Sequence, residues 1–135
     1  MTPDRITFVT DAPDESLAEA LREHEFDVWI ETKPSVADGW LPALPPDLLI
    51  FDILDASAAI GLLRKVRSSP RLKSTPVMVI AEWGTGQATL ALSQGADAFE
   101  RKPIDASRLL RAVENLLRPK MVMTAKASGL SRDEE

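Results

Sequence analysis

The stretch Asp47-Leu48-Leu49-Ile50-Phe51-Asp52 decides the fold. A short continuous apolar run closed by a carboxylate reads as a strand buried on both faces, the kind found in parallel sheets covered by helices. Such sheets place their ligands at the carboxyl ends of the strands. Asp52 is therefore the first candidate site residue. Two other polar residues sit at comparable strand ends: Asp11, after Ile6-Thr7-Phe8-Val9-Thr10, and Lys102, after Phe99-Glu100-Arg101. Two carboxylates and a lysine at one sheet edge make a polar site.

Outward from that strand, short apolar runs alternate with helical stretches. Residues 5–10, 26–30, 76–81 and 98–100 read as strands. Residues 14–24 read as a helix with Leu17, Ala20, Leu21 and His24 on one face. A second helix runs from about Ala58 to Ser68, carrying Ile60, Leu62, Leu63 and Val66. A third opens at Gly84-Thr85-Gly86 and stops at Gly95, which suits a helix C-cap. The last starts at an Asp105 cap and presents Leu109, Leu110, Val113, Leu116 and Leu117 before Pro119. Residues 34–45, with Pro34, Gly39, Pro42 and Pro45, allow only a short or broken helix. The repeat of β-α pairs predicts an α/β fold, a parallel sheet with helices on both faces.

Composition narrows the chemistry. A length of 135 residues suits one domain, with residues 1–119 forming it and 120–135 a tail or linker toward an output domain. The absence of cysteine removes disulfides, thiolate catalysis and Cys-ligated zinc, and a lone His24 leaves no pair for a histidine metal site. A net charge of −5 argues against nucleic-acid binding by this domain. No apolar run approaches the roughly 18 residues of a membrane span, and the N-terminus has no basic, apolar signal, so a cytoplasmic location is expected. Chemistry must come from carboxylates, amines and hydroxyls.

Four segments in order resemble the receiver domain of bacterial two-component response regulators, the chemotaxis-regulator type. Gly95-Ala96-Asp97-Ala98-Phe99-Glu100-Arg101-Lys102-Pro103 is similar to the family's GAD-x-aromatic-x-x-KP signature. Pro46–Asp52 resembles its phospho-acceptor strand, Thr75–Ile80 its fourth strand, and Val9–Asp14 its acidic loop. The resemblance covers roughly residues 5–118 and implies a doubly wound, five-stranded sheet of order 2-1-3-4-5, flavodoxin-like. It further implies Asp52 as phosphoryl acceptor, and Mg²⁺ held by Asp11, Asp52 and the Leu54 carbonyl. Lys102 would contact the phosphoryl group, and a cis Lys102–Pro103 bond would turn it inward. The implied donor is a histidine kinase or phosphotransfer protein. The implied output surface is the family's helix four, strand five and helix five, commonly used for homodimers. Enzymatic activity would be limited to Mg²⁺-dependent self-phosphorylation and autodephosphorylation.

The chain departs from the family at several positions. Thr10 replaces the first of two adjacent acids, which predicts weaker Mg²⁺ binding. Ala81 replaces the Ser or Thr that contacts the phosphoryl group, and Glu82 stands where a small residue is usual. Glu82 is expected either to face solvent or to lie near the site, repelling a phosphoryl group or pairing with Lys102. Ala56 replaces a proline, and the loops after Asp52 and after Ala81 look one residue short. Phe99 fills the aromatic switch position, where core packing is an equal expectation. Trp83 and Trp40 are expected to be partly exposed and to mark a partner surface. Two functions follow: a phospho-accepting receiver, or a degenerate receiver that binds a partner without phosphorylation. A flavin enzyme of similar strand order is disfavoured, because Asp11, Asp14 and Glu15 in the first loop would repel an FMN phosphate.

Overall fold

The computed structural model describes residues 3–11, 15–32 and 44–118. Most of the weak segment 34–45, Trp40, and the tail expected from residue 120 lie outside the described residues.

The deciding stretch forms β3, Leu48–Asp52, buried at every position. Around it lie β1 (Arg5–Thr10), β2 (Asp27–Glu31), β4 (Val77–Ala81) and β5 (Ala98–Arg101). The five strands pair in the order β2-β1-β3-β4-β5, and every pairing is parallel. Among the described residues four helices accompany them: α1 (Ser16–Glu23), α2 (Ala56–Ser68), α3 (Thr85–Ser93) and α4 (Ala106–Leu117). This is the doubly wound sheet expected from the sequence. No helix among the described residues is long and apolar enough to cross a membrane.

Side-chain alternation explains why β3 is apolar at consecutive positions. Leu49 and Phe51 join Val77 and Val79 against Ile60, Leu63 and Val66 of α2. Leu48 and Ile50 join Met78 and Ile80 on the other face, against Leu21 of α1 and Leu109 and Val113 of α4. The central strand therefore has no solvent-facing position until it runs out at Asp52.

Two helix ends differ from the sequence reading. α2 starts at Ala56 rather than near Ala58, because the Asp55 carboxylate accepts a hydrogen bond from Ser57 N at 3.2 Å and caps the helix. α1 buries Ala18 and Leu21, whereas His24 is exposed, with Nδ1 3.1 Å from the Ala20 carbonyl. The chain turns out of the helix there, so His24 leaves the apolar stripe.

α1 and α3 end in the same way with different residues. At α1, Phe26 N donates to Leu21 O at 3.3 Å and Glu25 N to Arg22 O at 3.0 Å. At α3, Ala96 N donates to Ala91 O at 3.0 Å and Gly95 N to Leu92 O at 3.3 Å. Both are Schellman motifs, which need a left-handed residue at the turn. Gly95 fills it with φ 120°, but at α1 the position is Glu25 with φ 69°.

Gly95 has a second reason to be glycine. An added Cβ would lie 2.7 Å from Arg67 Cγ. Arg67 cannot easily move aside, because its guanidinium joins separate segments. It donates to Gly95 O at 2.7 and 2.9 Å, to Thr75 O at 2.7 Å, to Lys73 O at 3.1 Å and to Asp97 Oδ2 at 2.8 Å. Asp97 Oδ2 also accepts from Val77 N at 2.8 Å. Gly95 and Asp97 of the signature thus anchor β5 beside β4 through Arg67.

Opposite stability changes are expected at the two turns. Gly95→Ala should lower the unfolding free energy by about 1–3 kcal/mol, and Glu25→Gly should raise it by about 0.5–1 kcal/mol. Urea denaturation monitored by circular dichroism measures both.

Candidate functional site

The carboxyl ends of β1, β3 and β5 bring Asp11, Asp52 and Lys102 together. Asp52 ends β3 and is only 5% exposed, so its carboxylate must be paired within the protein. Lys102 Nζ supplies that partner at 2.6 Å from Oδ1. The lysine reaches Asp52 from the β5 end, across the end of β4. There the residue is Ala81, small and buried, and Lys102 N donates to its carbonyl at 3.0 Å. The Lys102–Pro103 bond that follows is cis.

Asp11 ties the first loop to the third. Its backbone N–H contacts Asp52 O at 3.4 Å. Its two carboxylate oxygens accept from Leu54 N at 3.1 and 3.2 Å. Thr10 lies beside Asp52 in the β1–β3 register and is buried. Glu82 is exposed, and Lys102 pairs with Asp52 rather than with it.

Trp83 differs most from its expectation. It was expected at the surface, but it is 6% exposed and belongs to the core on the α2 face. Burial of an indole requires an acceptor for its N–H. Nε1 finds one in Leu54 O at 3.1 Å, and the Trp83 carbonyl accepts from Arg101 Nη1 at 2.6 Å. Its ring faces Phe99 with centroids 5.7 Å apart and planes inclined at 42°. Phe99 is half-buried and packs on the same core. The missed signal was position: Trp83 follows the buried β4 end by two residues, at the edge of the site, where a large ring has apolar surface to cover.

The oxygens available to a cation are the carboxylates of Asp11 and Asp52 and the carbonyl of Leu54, a hard donor set that suits Mg²⁺ in kind. In this conformation the protein itself engages each residue: Lys102 on Asp52, Leu54 N on Asp11, and Trp83 on Leu54. Among the described residues no cluster of three or more acidic or histidine side chains forms a metal site. A cation held by these residues would depend on two carboxylates, a carbonyl and water.

No protein-family model matches the chain. Response regulator Rre1 of Synechocystis sp. is 31% identical over 103 residues, covering 73% of this chain and 45% of that protein. The signal receiver domain of a histidine kinase from Syntrophus aciditrophicus is 27% identical, with a TM-score of 0.72 over 86% of this chain and 91% of that one. This chain belongs to the receiver domains of response regulators. A receiver domain of a Pseudomonas aeruginosa sensor histidine kinase, solved with magnesium in its active-site cleft, shares the fold at 17% identity and a TM-score of 0.69, covering 85% of this chain and 98% of that one. The chain spans less than half the length of Rre1, so the receiver is the part the two have in common.

The buried ion pair sets an expectation for stability. Lys102→Met in this receiver domain leaves the Asp52 carboxylate buried without its charge partner and should cost about 2 kcal/mol, allowing for the partly exposed lysine. Adding Asp52→Asn should recover part of that loss in the double variant. Urea unfolding of the wild type, both single variants and the double variant reads the coupling.

Proposed function

We propose that this receiver accepts a phosphoryl group on Asp52 in a two-component phosphorelay. The observation that carries this reading is the buried Asp52 carboxylate, 2.6 Å from Lys102 Nζ at the carboxyl edge of the sheet. A carboxylate there is a nucleophile held in place, and a lysine beside it is a charge able to follow the phosphoryl oxygens. Bound Mg²⁺ would neutralise phosphoryl charge, as the chemistry of its oxygen donors allows. An Asp52 oxygen bonds to phosphorus while the donor's P–N or P–O bond breaks. The imidazole of a phosphohistidine, or the carboxylate of a small acyl phosphate, leaves. Lys102 turns from Asp52 Oδ1 to a phosphoryl oxygen, and Asp11 keeps the Leu54 loop against the site.

The donor partner is a histidine kinase or a phosphotransfer protein, and the setting is the cytoplasm. The output surface is α3, β5 and α4, the last three elements of the chain's described order. Leu90 and Leu92 of α3 are exposed, on different sides of that helix. Ala81 favours a second reading, because it carries no hydroxyl to bind the phosphoryl group. On that reading the domain is a degenerate receiver that binds its partner without phosphorylation.

Intact-protein mass after incubation with acetyl phosphate and Mg²⁺ separates the two. A single phosphoryl adduct, absent from Asp52→Asn and prevented by a chelator, is the expected result. No adduct across a Mg²⁺ titration would favour the degenerate receiver.

A further inference from the structure

We propose that Trp83 is a positioning residue that couples cation binding at Asp11 and Asp52 to Phe99 through its hydrogen bond to the Leu54 carbonyl. This rests on the reading of that carbonyl as a cation ligand. Leu54 is 79% exposed, so packing does not hold the residue in place. Its backbone does: N–H on the Asp11 carboxylate and C=O on the Trp83 indole. The same carbonyl therefore serves as the acceptor for a buried indole and as a donor atom of the candidate cation site.

A carbonyl oxygen has two lone pairs, but a dication and an indole hydrogen on one oxygen repel each other across a short distance. The indole cannot simply be left without an acceptor, since an unsatisfied buried N–H is costly. When a cation takes the Leu54 carbonyl, the ring has to shift toward another partner or toward water. That ring lies against Phe99, and its own backbone carbonyl is held by Arg101, next to Lys102. A shift at Trp83 thus reaches β5 by two contacts. This route needs no hydroxyl at Ala81, the residue whose side chain lacks one. Coupling of this kind is reciprocal: the hydrogen bond that cation binding breaks also weakens cation binding.

The test uses the full chain and two readouts. Binding of Mn²⁺, followed by the electron paramagnetic resonance signal of the free ion, is compared in wild type, Trp83→Phe and Asp11→Asn. Trp83→Phe keeps an aromatic ring without the N–H and is expected to bind Mn²⁺ about three- to tenfold more tightly. In a Trp29→Phe/Trp40→Phe double variant, Trp83 is the remaining tryptophan of three. Its emission is expected to change on Mg²⁺ addition, saturating with the binding isotherm. Equal affinities in wild type and Trp83→Phe, with unmoved Trp83 emission, would overturn the coupling and leave the cation reading standing. Binding that is absent, or indifferent to Asp11→Asn, would overturn the cation reading and the coupling together.

Discussion

A carboxylate at the end of a fully buried strand has to be matched by a positive charge from elsewhere in the chain, and most of this site follows from that requirement. Asp52 lies at the carboxyl end of β3, where helices cover both faces of the sheet. Its partner comes from β5, two strands away in the sheet, so the intervening β4 must end in a small residue. Ala81 meets that demand. The loop after β5 must then hold Lys102 over the sheet edge, and its backbone bond to Ala81 contributes to that.

The second constraint is the anchoring of β5. Arg67 connects the turn after α3, the segment before β4 and Asp97 ahead of β5. A guanidinium can satisfy several carbonyls from one fixed plane, which a lysine cannot. The Gly95-Ala96-Asp97 part of the signature is therefore a docking surface for an arginine, and only indirectly part of the reactive site. That dock adds to the β4–β5 pairing in fixing the origin from which Lys102 reaches Asp52.

Much of this was legible before the structure. Apolar runs revealed the strands, and glycines and a capping acid revealed both ends of α3 and the start of α4, because these signals are local. Asp11, Asp52 and Lys102 were readable as strand-end polar residues, and the structure does bring them together. Long-range pairing was not readable. Arg67 carries no local signal of its role, since its acceptors come from segments separate from its own helix. Trp83 looked like a loop aromatic for the same reason: the carbonyl it bonds and the ring it meets belong to other loops and strands. His24 fitted a helical period that the turn at Glu25 interrupts.

A crystal structure of the chain with Mg²⁺ and beryllofluoride, an acyl-phosphate analogue, would show whether Asp52 exchanges Lys102 for a phosphoryl group. Beryllium is expected on an Asp52 oxygen, with Lys102 Nζ moved from Oδ1 to a fluoride and Trp83 released from the Leu54 carbonyl. An intact Asp52–Lys102 pair under saturating analogue, with no fluoride at the sheet edge, would contradict it.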